Sequence, residues 1–166
     1  MKLASVIRFI ALLSTGLLAG IFLGWRMGPS VALPTLPATS FVQFQQVVHG
    51  YYVRFMPILQ IAAVLSSLTW LFFLRSSAGS LRFILLALAA AGTISVFALT
   101  FAVNIPINKK LMTWSASAPP QNWSEIWRPW EQVNTIRTVL AVGVFTLELL
   151  AFGLAAQGQQ INRWPA

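Results

Sequence analysis

The sequence contains no cysteine and only one histidine, His49, and its acidic residues number three, Glu125, Glu131 and Glu148. Without cysteine the chain cannot form a disulfide, a thiolate nucleophile, or a cysteine-ligated zinc or iron–sulfur site. One histidine and three separated carboxylates also do not make an ordinary ligand shell for a metal ion or a haem. We therefore expect neither a metal nor another cofactor.

Charged residues are scarce as well, at 8% of the chain against 57% hydrophobic residues. A soluble domain carries about 25% charged residues, so most of this surface is not suited to water. The net charge is +8, but the lysines and arginines stand mostly singly at the ends of apolar runs. This distribution is typical of a protein whose partner is the lipid bilayer, and it argues against nucleic acid as a partner.

Four apolar stretches are long enough to cross the bilayer, whose hydrocarbon layer of about 30 Å requires about 20 helical residues. They cover approximately residues 3–24, 52–74, 83–103 and 138–156. The first stretch begins like a signal peptide, with Lys2 and Arg8, but we expect it to be retained as a span. The sequence thus predicts an all-α integral membrane protein, a single four-helix transmembrane domain over residues 1–166.

The connections between these spans differ in length. Residues 75–82 form a tight turn, whereas long connections precede the second and fourth spans and must lie on one membrane face. The basic residues on the side of the termini are Lys2, Arg8, Arg75, Arg82 and Arg163. The opposite side has a similar number, but if Arg54 and Arg137 belong to a site there, the remaining charges favour cytoplasmic termini. We expect a multi-pass protein of a bacterial inner membrane.

The long connections carry three local signals. Residues 28–37 are rich in proline and small residues and predict a loop. Ser40 begins a pattern typical of a capping box, which predicts the start of a helix there. Asn122 and Glu125 predict a second helix start, and Pro129 is expected to interrupt or restart that helix.

Polar side chains follow a helical period along three of the spans, which places them on one face of each helix. The stripe of the second span is Gln45, His49, Tyr52, Met56 and Gln60. The stripe of the third span is Thr93, Phe97, Thr100, Asn104 and Asn108. The stripe of the fourth span is Trp123, Trp127, Trp130, Asn134, Arg137, Ala141, Val144 and Glu148. Each stripe is predicted to face the interior of the bundle.

These residues also have purely structural interpretations. Amides and hydroxyls join membrane helices by hydrogen bonds, tryptophans form belts at the membrane interface, and Arg54 and Arg137 can extend to lipid headgroups. Glu148 lies deep inside the fourth span, where an unpaired ionised acid is costly. We expect it to be protonated, to pair across the bundle with Gln60, or to belong to a proton route.

One segment is more distinctive than the rest. It contains Asn104-Ile105-Pro106-Ile107-Asn108, then Trp114, then Trp127-Arg128-Pro129-Trp130, and finally Asn134 and Arg137. This order resembles the anthrone oxygenase-like family of four-helix membrane proteins. The resemblance implies oxidation of a lipophilic phenolic or quinol-like aromatic by molecular oxygen without a metal, since characterised members oxidise anthrones to anthraquinones.

The resemblance also implies roles for individual side chains. A base would remove a proton from the substrate, and arginines would hold the oxyanion that develops. Asparagines would orient phenolic oxygens, and tryptophans would stack on a flat ligand. The candidate catalytic residues are His49 and Arg137. From its position in the fourth span, we expect Arg137 to point into the bundle and to hydrogen-bond to oxygens of residues 104–108. The candidate substrate-binding residues are Asn104, Asn108, Trp123, Trp127, Arg128, Trp130, Asn134, Arg54 and Tyr52.

A second hypothesis comes from a different class of protein. The small size and abundant apolar surface also suit a non-catalytic subunit or assembly factor, with a membrane protein or further copies of the chain as partner. The asparagines and Arg137 would then fix the irregular backbone after the third span, since backbone at the mouth of a bundle needs partners. An enzyme requires a cavity that holds His49 together with Arg137, whereas a subunit would pack these residues without a void.

Overall fold

A computed structural model describes residues 3–161, with the side chains of residues 3–155. Its long helices are α1 (Leu3–Met27), α3 (Ala38–Phe73), α4 (Leu81–Leu99) and α6 (Trp123–Ile161), and its short helices are α2 (Pro29–Ala32) and α5 (Ile105–Leu111). No strand occurs in this part of the chain. The predicted all-α four-helix membrane bundle is confirmed. Lys2 and Arg163, used above to predict orientation, lie outside the described residues.

The surface of the bundle is apolar. The apolar windows of the four long helical segments are only between 28% and 33% buried within the molecule. The remaining apolar side chains, such as Ile58, Leu65 and Val139, point outward, which in water would be unfavourable. The chain is therefore a multi-pass integral membrane protein, and its outer face is in contact with lipid.

Consecutive long helices are antiparallel, so residues deeper in α6 meet residues earlier in α4. Gly92 in α4 lies so close to α6 that an added Cβ would stand 2.5 Å from Cγ2 of Val144. In α1, a Cβ added to Gly16 would stand 2.9 Å from Cε2 of Phe145. Small residues permit this close approach, which membrane helices need because lipid provides no hydrophobic driving force between them.

The turn between α3 and α4 is tight, as predicted. A single turn of 3₁₀ helix, Arg75–Ser77, follows α3, and Gly79 adopts a φ of 90°, a conformation in which a Cβ would be strained. The Ser80 side chain then accepts a hydrogen bond of 3.2 Å from the Phe83 amide and caps α4.

The predictions for the long connections were partly wrong. Residues 28–37 are mostly helical rather than a loop, because α2 and the 3₁₀ turn Leu33–Thr35 use their prolines at helix starts. The following helix begins at Ala38, after Pro37, and not at Ser40. Helix α6 does begin next to Asn122, but it continues through Pro129 without a break. Pro129 is the seventh residue of α6 and is exposed, and its missing amide leaves the Glu125 carbonyl, also at an exposed position, without its helical partner.

Both connections cover the same end of the bundle. Ser30 donates a hydrogen bond of 2.9 Å to Glu131 at the start of α6. The Gln46 amide donates to the carbonyls of Leu111 and Trp114, at 3.0 and 2.9 Å. An apolar cluster fills the space between them and includes Trp25, Leu33, Phe41, Val42, Leu111, Trp127 and Trp130. The two long connections therefore pack together on one membrane face, as the number of spans required.

Glu148 is fully buried near the other end of the bundle, and its predicted pairing with Gln60 was wrong. It contacts Ser67 Oγ at 2.6 Å and Thr15 Oγ1 at 2.7 Å, and Thr15 Oγ1 also lies 2.8 Å from the Ala11 carbonyl. Helices α3 and α6 run parallel, which brings Ser67 to the depth of Glu148 and leaves Gln60 about two turns away. A hydroxyl carries one hydrogen, so Thr15 either shares it between the Ala11 carbonyl and Glu148, or donates to Ala11 and accepts from a protonated Glu148.

We predict that Gly92→Ala destabilises the bundle by about 1–3 kcal/mol, because the new methyl group overlaps Cγ2 of Val144. Thermal unfolding in detergent measures this. Gly143→Ala is the matched control, since nothing lies within 4 Å of its Cβ position, and it should leave stability unchanged or raise it slightly. The pair Gly92→Ala with Val144→Ala should recover most of the loss. A Gly92→Ala protein as stable as the parent would contradict the close α4–α6 contact.

We also predict that Glu148→Gln changes the stability of the protein by less than about 1 kcal/mol. The glutamine amide donates to Thr15 and its carbonyl accepts from Ser67, which reproduces the contacts of a protonated acid. Glu148→Leu leaves the Ser67 hydroxyl without that partner and should cost about 1–3 kcal/mol. Should the glutamine variant unfold as readily as the leucine variant, Glu148 carries a charge in the folded protein.

Candidate functional site

A cavity of about 170 Å³ opens inside the end of the bundle that the two connections cover. Its walls come from α1, α3, α5, α6 and the segment that joins α4 to α5. Aromatic and apolar side chains make most of the wall, including Phe22, Trp25, Tyr52, Met56, Phe101 and Trp130. The polar lining residues are Gln45, His49, Gln60, Thr100, Asn104, Asn108, Asn134 and Arg137. A mostly apolar wall with a limited number of polar groups is typical of a small-molecule site.

The polar stripes predicted from the sequence converge on this cavity. All five members of the second-span stripe line it, and the third-span stripe contributes Thr100, Asn104 and Asn108. In α6 the stripe keeps its phase through Pro129, so that Trp127, Trp130, Asn134 and Arg137 are all buried. Of the candidate site residues, the cavity brings together His49, Tyr52, Asn104, Asn108, Trp130, Asn134 and Arg137.

Four candidate residues do not line the cavity. Trp127 stacks on Trp130 with ring centroids 4.4 Å apart, and Trp123 packs on Phe41 at 4.3 Å. Both tryptophans thus belong to the apolar cluster under the connections. Arg54 and Arg128 are exposed, and Arg54 lies over the Tyr51 ring. Since Arg54 lies outside the cavity, it counts again among the basic residues that set topology, and these residues no longer favour one orientation. The cytoplasmic termini and the bacterial inner membrane stay predictions.

Arg137 is the charged group at the inner end of the cavity, and only 5% of it is exposed. Its Nη1 donates to Thr100 Oγ1 at 2.9 Å and its Nη2 donates to Asn134 Oδ1 at 2.8 Å. The expected partners, the oxygens of residues 104–108, were wrong. Helices α4 and α6 are antiparallel, and the Asn104 amide donates to the Trp130 carbonyl at 3.3 Å. Arg137 lies further along α6 than Trp130, so it contacts Thr100, one turn before Asn104.

Among the described residues Arg137 has no ion-pair partner within 4 Å, and Glu131 is the acid whose charge acts on it from farther away. Its two hydrogen-bond partners are neutral, and the Thr100 hydroxyl itself donates to the Val96 carbonyl. Its guanidinium lies 4.8 Å from the Phe22 ring centroid and 5.9 Å from that of Trp130, an arrangement in which the rings stabilise a cation. The buried acid Glu148 is occupied by Thr15 and Ser67. The guanidinium therefore remains free to attract an anion.

The backbone at the cavity is irregular. Residues Thr100–Asn104 form a π-helical turn between α4 and α5. Pro106, two residues after this turn, cannot donate a backbone hydrogen bond. Such turns occur often at functional sites because they redirect side chains. Here the turn directs Thr100 to Arg137 and buries Asn104 against α6.

Several buried polar atoms of lining residues have no hydrogen-bond partner within the described part of the chain. They are Arg137 Nε, Asn134 Nδ2, Asn104 Oδ1, Gln45 Nε2 and the indole nitrogens of Trp25 and Trp130. Unpaired polar groups away from water are costly and rarely persist without a reason. These atoms have almost no accessible surface, so a ligand oxygen or hydroxyl reaches them only when the side chains around the cavity shift.

Sequence reasoning did not identify the contribution of α1. Phe22 and Trp25 line the cavity, although neither was a candidate. The signal was present, since Ala11, Thr15, Leu18, Phe22 and Trp25 are all buried and alternate in steps of four and three. It was hidden because α1 is apolar on every side. Among the described residues no three His, Cys, Asp or Glu side chains come together as metal ligands.

Comparison with known proteins gives one match. The family model for anthrone oxygenase matches residues 44–147, which hold all eight polar residues of the cavity wall. No curated protein and no solved structure matches the chain. Since the matched segment covers more than half of the sequence, the chain belongs to the anthrone oxygenase family.

Proposed function

We propose that the protein is a membrane oxidoreductase that uses molecular oxygen to oxidise a lipophilic phenolic or quinol-like aromatic. One observation carries this proposal, the buried Arg137 at the inner end of an aromatic-lined cavity, with neutral partners and an unpaired Nε. A cation of this kind, held in a wall with low dielectric constant, stabilises an oxyanion strongly. A phenolate provides such an oxyanion on a flat apolar body.

The size and the wall of the cavity suit an aromatic ring. Its volume of about 170 Å³ slightly exceeds that of a cavity of about 150 Å³ that is known to bind benzene. Phe22, Trp25 and Trp130 provide faces and edges against which such a ring can pack. Asn134 and Gln45 can donate hydrogen bonds to oxygen substituents, and Asn104 can accept one from a hydroxyl.

The proposed chemistry uses His49 as base and Arg137 as oxyanion partner. An imidazole nitrogen of His49 accepts the proton of the phenol, and Arg137 stabilises the electron-rich phenolate, which passes electrons to oxygen. With a quinol, the two hydroxyl groups lose two protons and the ring loses two electrons, and oxygen takes up both to become hydrogen peroxide. With an anthrone, the methylene carbon loses two hydrogens and gains one oxygen atom, and the second oxygen atom leaves as water.

The alternative of a non-catalytic subunit makes a different use of these residues. In a subunit, Arg137, Asn134 and Asn104 would serve only to join α4 to α6. The hydrogen bonds of these residues are compatible with that role. The cavity that His49 and Arg137 share favours the enzyme, because a purely structural cluster does not require a void beside it. The experiments below separate the two.

We predict that Arg137→Lys lowers oxygen uptake by about a hundredfold or more, because lysine keeps the charge but loses the planar fork that holds Thr100, Asn134 and a ligand oxygen. The measurement is oxygen consumption by purified protein in liposomes, with anthrone and alkylated hydroquinones as substrates. Arg128→Lys is the control, since Arg128 is exposed, and it should keep full activity.

The result can also contradict the proposal. Full activity of Arg137→Lys would exclude the oxyanion role. If the lysine variant does not fold, His49→Gln decides, because His49 lines the cavity and is only partly buried. An enzyme loses oxygen uptake in this variant while its thermal stability is kept. Parent protein that consumes no oxygen with any of these substrates would favour the subunit.

A second prediction concerns the charge beside Arg137. Asn134→Asp places a carboxylate where the amide oxygen now accepts from Nη2 at 2.8 Å. This internal counter-ion should maintain or raise thermal stability, but it competes with the phenolate and should weaken substrate binding by about tenfold or more. Asn122→Asp, at an exposed position before α6, is the control. Unchanged binding by Asn134→Asp would mean that the ligand oxygen does not lie at Arg137.

A further inference from the structure

Among the lining residues of the cavity, those on one side of the bundle are exposed at its lipid-facing surface. Val53 and Pro57 of α3 and Phe101 of the π-helical turn line the cavity and are also exposed. The exposed fraction is 49% for Val53 and 55% for Phe101. By contrast, the lining residues of α1 and α6 are buried or nearly so, Trp25 and Arg137 among them. The cavity therefore opens between α3 and the end of α4.

This opening lies at the edge of the hydrocarbon layer. Val53 and Phe101 are each about 30 Å, at about 1.5 Å per residue, from the helix ends that meet at the tight turn. The hydrocarbon layer is about 30 Å thick. With the tight turn at one membrane surface, the opening stands where acyl chains meet headgroups at the other.

Both helices that border the opening have a backbone defect at this level. Pro57 lies inside α3 and leaves the carbonyl of Val53 without its helical partner. Opposite it, the π-helical turn Thr100–Asn104 widens the end of α4, and Pro106 follows. Irregular turns on facing helices prevent the close packing that Gly92 and Val144 make deeper in the bundle. The opening is thus built into the backbone on both sides.

We propose that the substrate is an amphiphile, a phenol or quinol ring that bears a hydrocarbon tail. The ring enters from the membrane between α3 and α4 and places its oxygen at Arg137, while the tail passes between Val53 and Phe101 and stays in lipid. This inference rests on the proposed function, since Arg137 fixes where the oxygen lies. The cavity of about 170 Å³ has space for the ring but not for a long tail, and its rim is apolar.

The path of the tail has a measurable consequence. A tail that remains in lipid contributes little to the free energy of binding, because lipid surrounds the tail before and after the ring binds. Affinity, expressed as mole fraction in the bilayer, should then be nearly independent of tail length. A cavity closed to the membrane would instead reject every tail longer than its free volume.

The experiment uses purified full-length protein in nanodiscs without oxygen, so that binding is measured apart from turnover. The probes are para-ethylphenol, para-hexylphenol and para-decylphenol, and binding is read from the fluorescence of the tryptophans, two of which line the cavity. The three affinities should agree within about threefold. A decylphenol with a diazirine in its tail should label α3 near Val53 and the segment near Phe101, and excess ethylphenol should prevent the labelling.

Two variants with matched exposure test the opening directly. Val53→Trp narrows it and should weaken decylphenol binding by about tenfold or more, with a smaller effect on ethylphenol. Ile61→Trp changes a residue of the same helix that is 48% exposed but does not line the cavity. This control should bind decylphenol within about twofold of the parent.

Each outcome is informative. Decylphenol binding more than about tenfold weaker than ethylphenol binding, or labelling that ethylphenol does not displace, overturns the tail path. Oxygen uptake with ethylhydroquinone but none with decylhydroquinone would leave the proposed function intact and exclude the amphiphile. Tail-independent binding with displaceable labelling near Val53, but no oxygen uptake with anthrone or any alkylhydroquinone, would support the path and reject the oxidation. Failure of all three phenols to bind overturns both.

Discussion

The hydrogen bonds of Arg137 link the parts of the structure on which the site depends. One arm of the guanidinium holds Thr100 in the π-helical turn, and the other holds Asn134 in α6. A charged group at this depth of a membrane protein is tolerated only where polar partners receive it. The two contacts therefore fix α4 against α6 at the level where the helices separate into a cavity. Below that level Gly92 and Val144 close the interface.

Glu148 and Arg137, the two buried ionisable residues of α6, differ in how completely their polar atoms are hydrogen-bonded. Glu148 has a hydroxyl partner on each carboxyl oxygen, and neutral contacts surround it. Arg137 keeps an unpaired Nε and two neutral partners beside a cavity. They stand about 16 Å apart along one helix face, in the same bundle, so membrane burial alone does not explain the difference. A group that completes its contacts within the protein stabilises the fold, whereas one left incomplete at a cavity is available to a ligand.

The sequence predicted the helices and much of the cavity wall, because polar residues are rare in membrane helices and their period is easy to follow. The stripe from Trp127 to Glu148 was correct even across Pro129. It did not predict which residues pair, since Glu148 meets Ser67 and not Gln60. Such pairing depends on helix register, which here follows from glycine contacts and a π-helical turn. Nor did it predict that Arg54 points outward while Phe22 points inward, because a helix in lipid has no amphipathic pattern that separates the two.

The segment that matches the family model contains the polar residues of the cavity wall but not all of its aromatic residues. The segment 44–147 holds every polar lining residue, whereas Phe22 and Trp25 come from α1, outside it. The proposed oxyanion contacts thus lie within the matched segment, and two of the aromatic rings that shape the pocket lie outside it. Arg137 draws on both, since its hydrogen bonds reach Thr100 and Asn134 and its face lies over Phe22. The proposed oxyanion site therefore requires α1 as well as the matched segment, because the Phe22 ring packs on the guanidinium that Thr100 and Asn134 position.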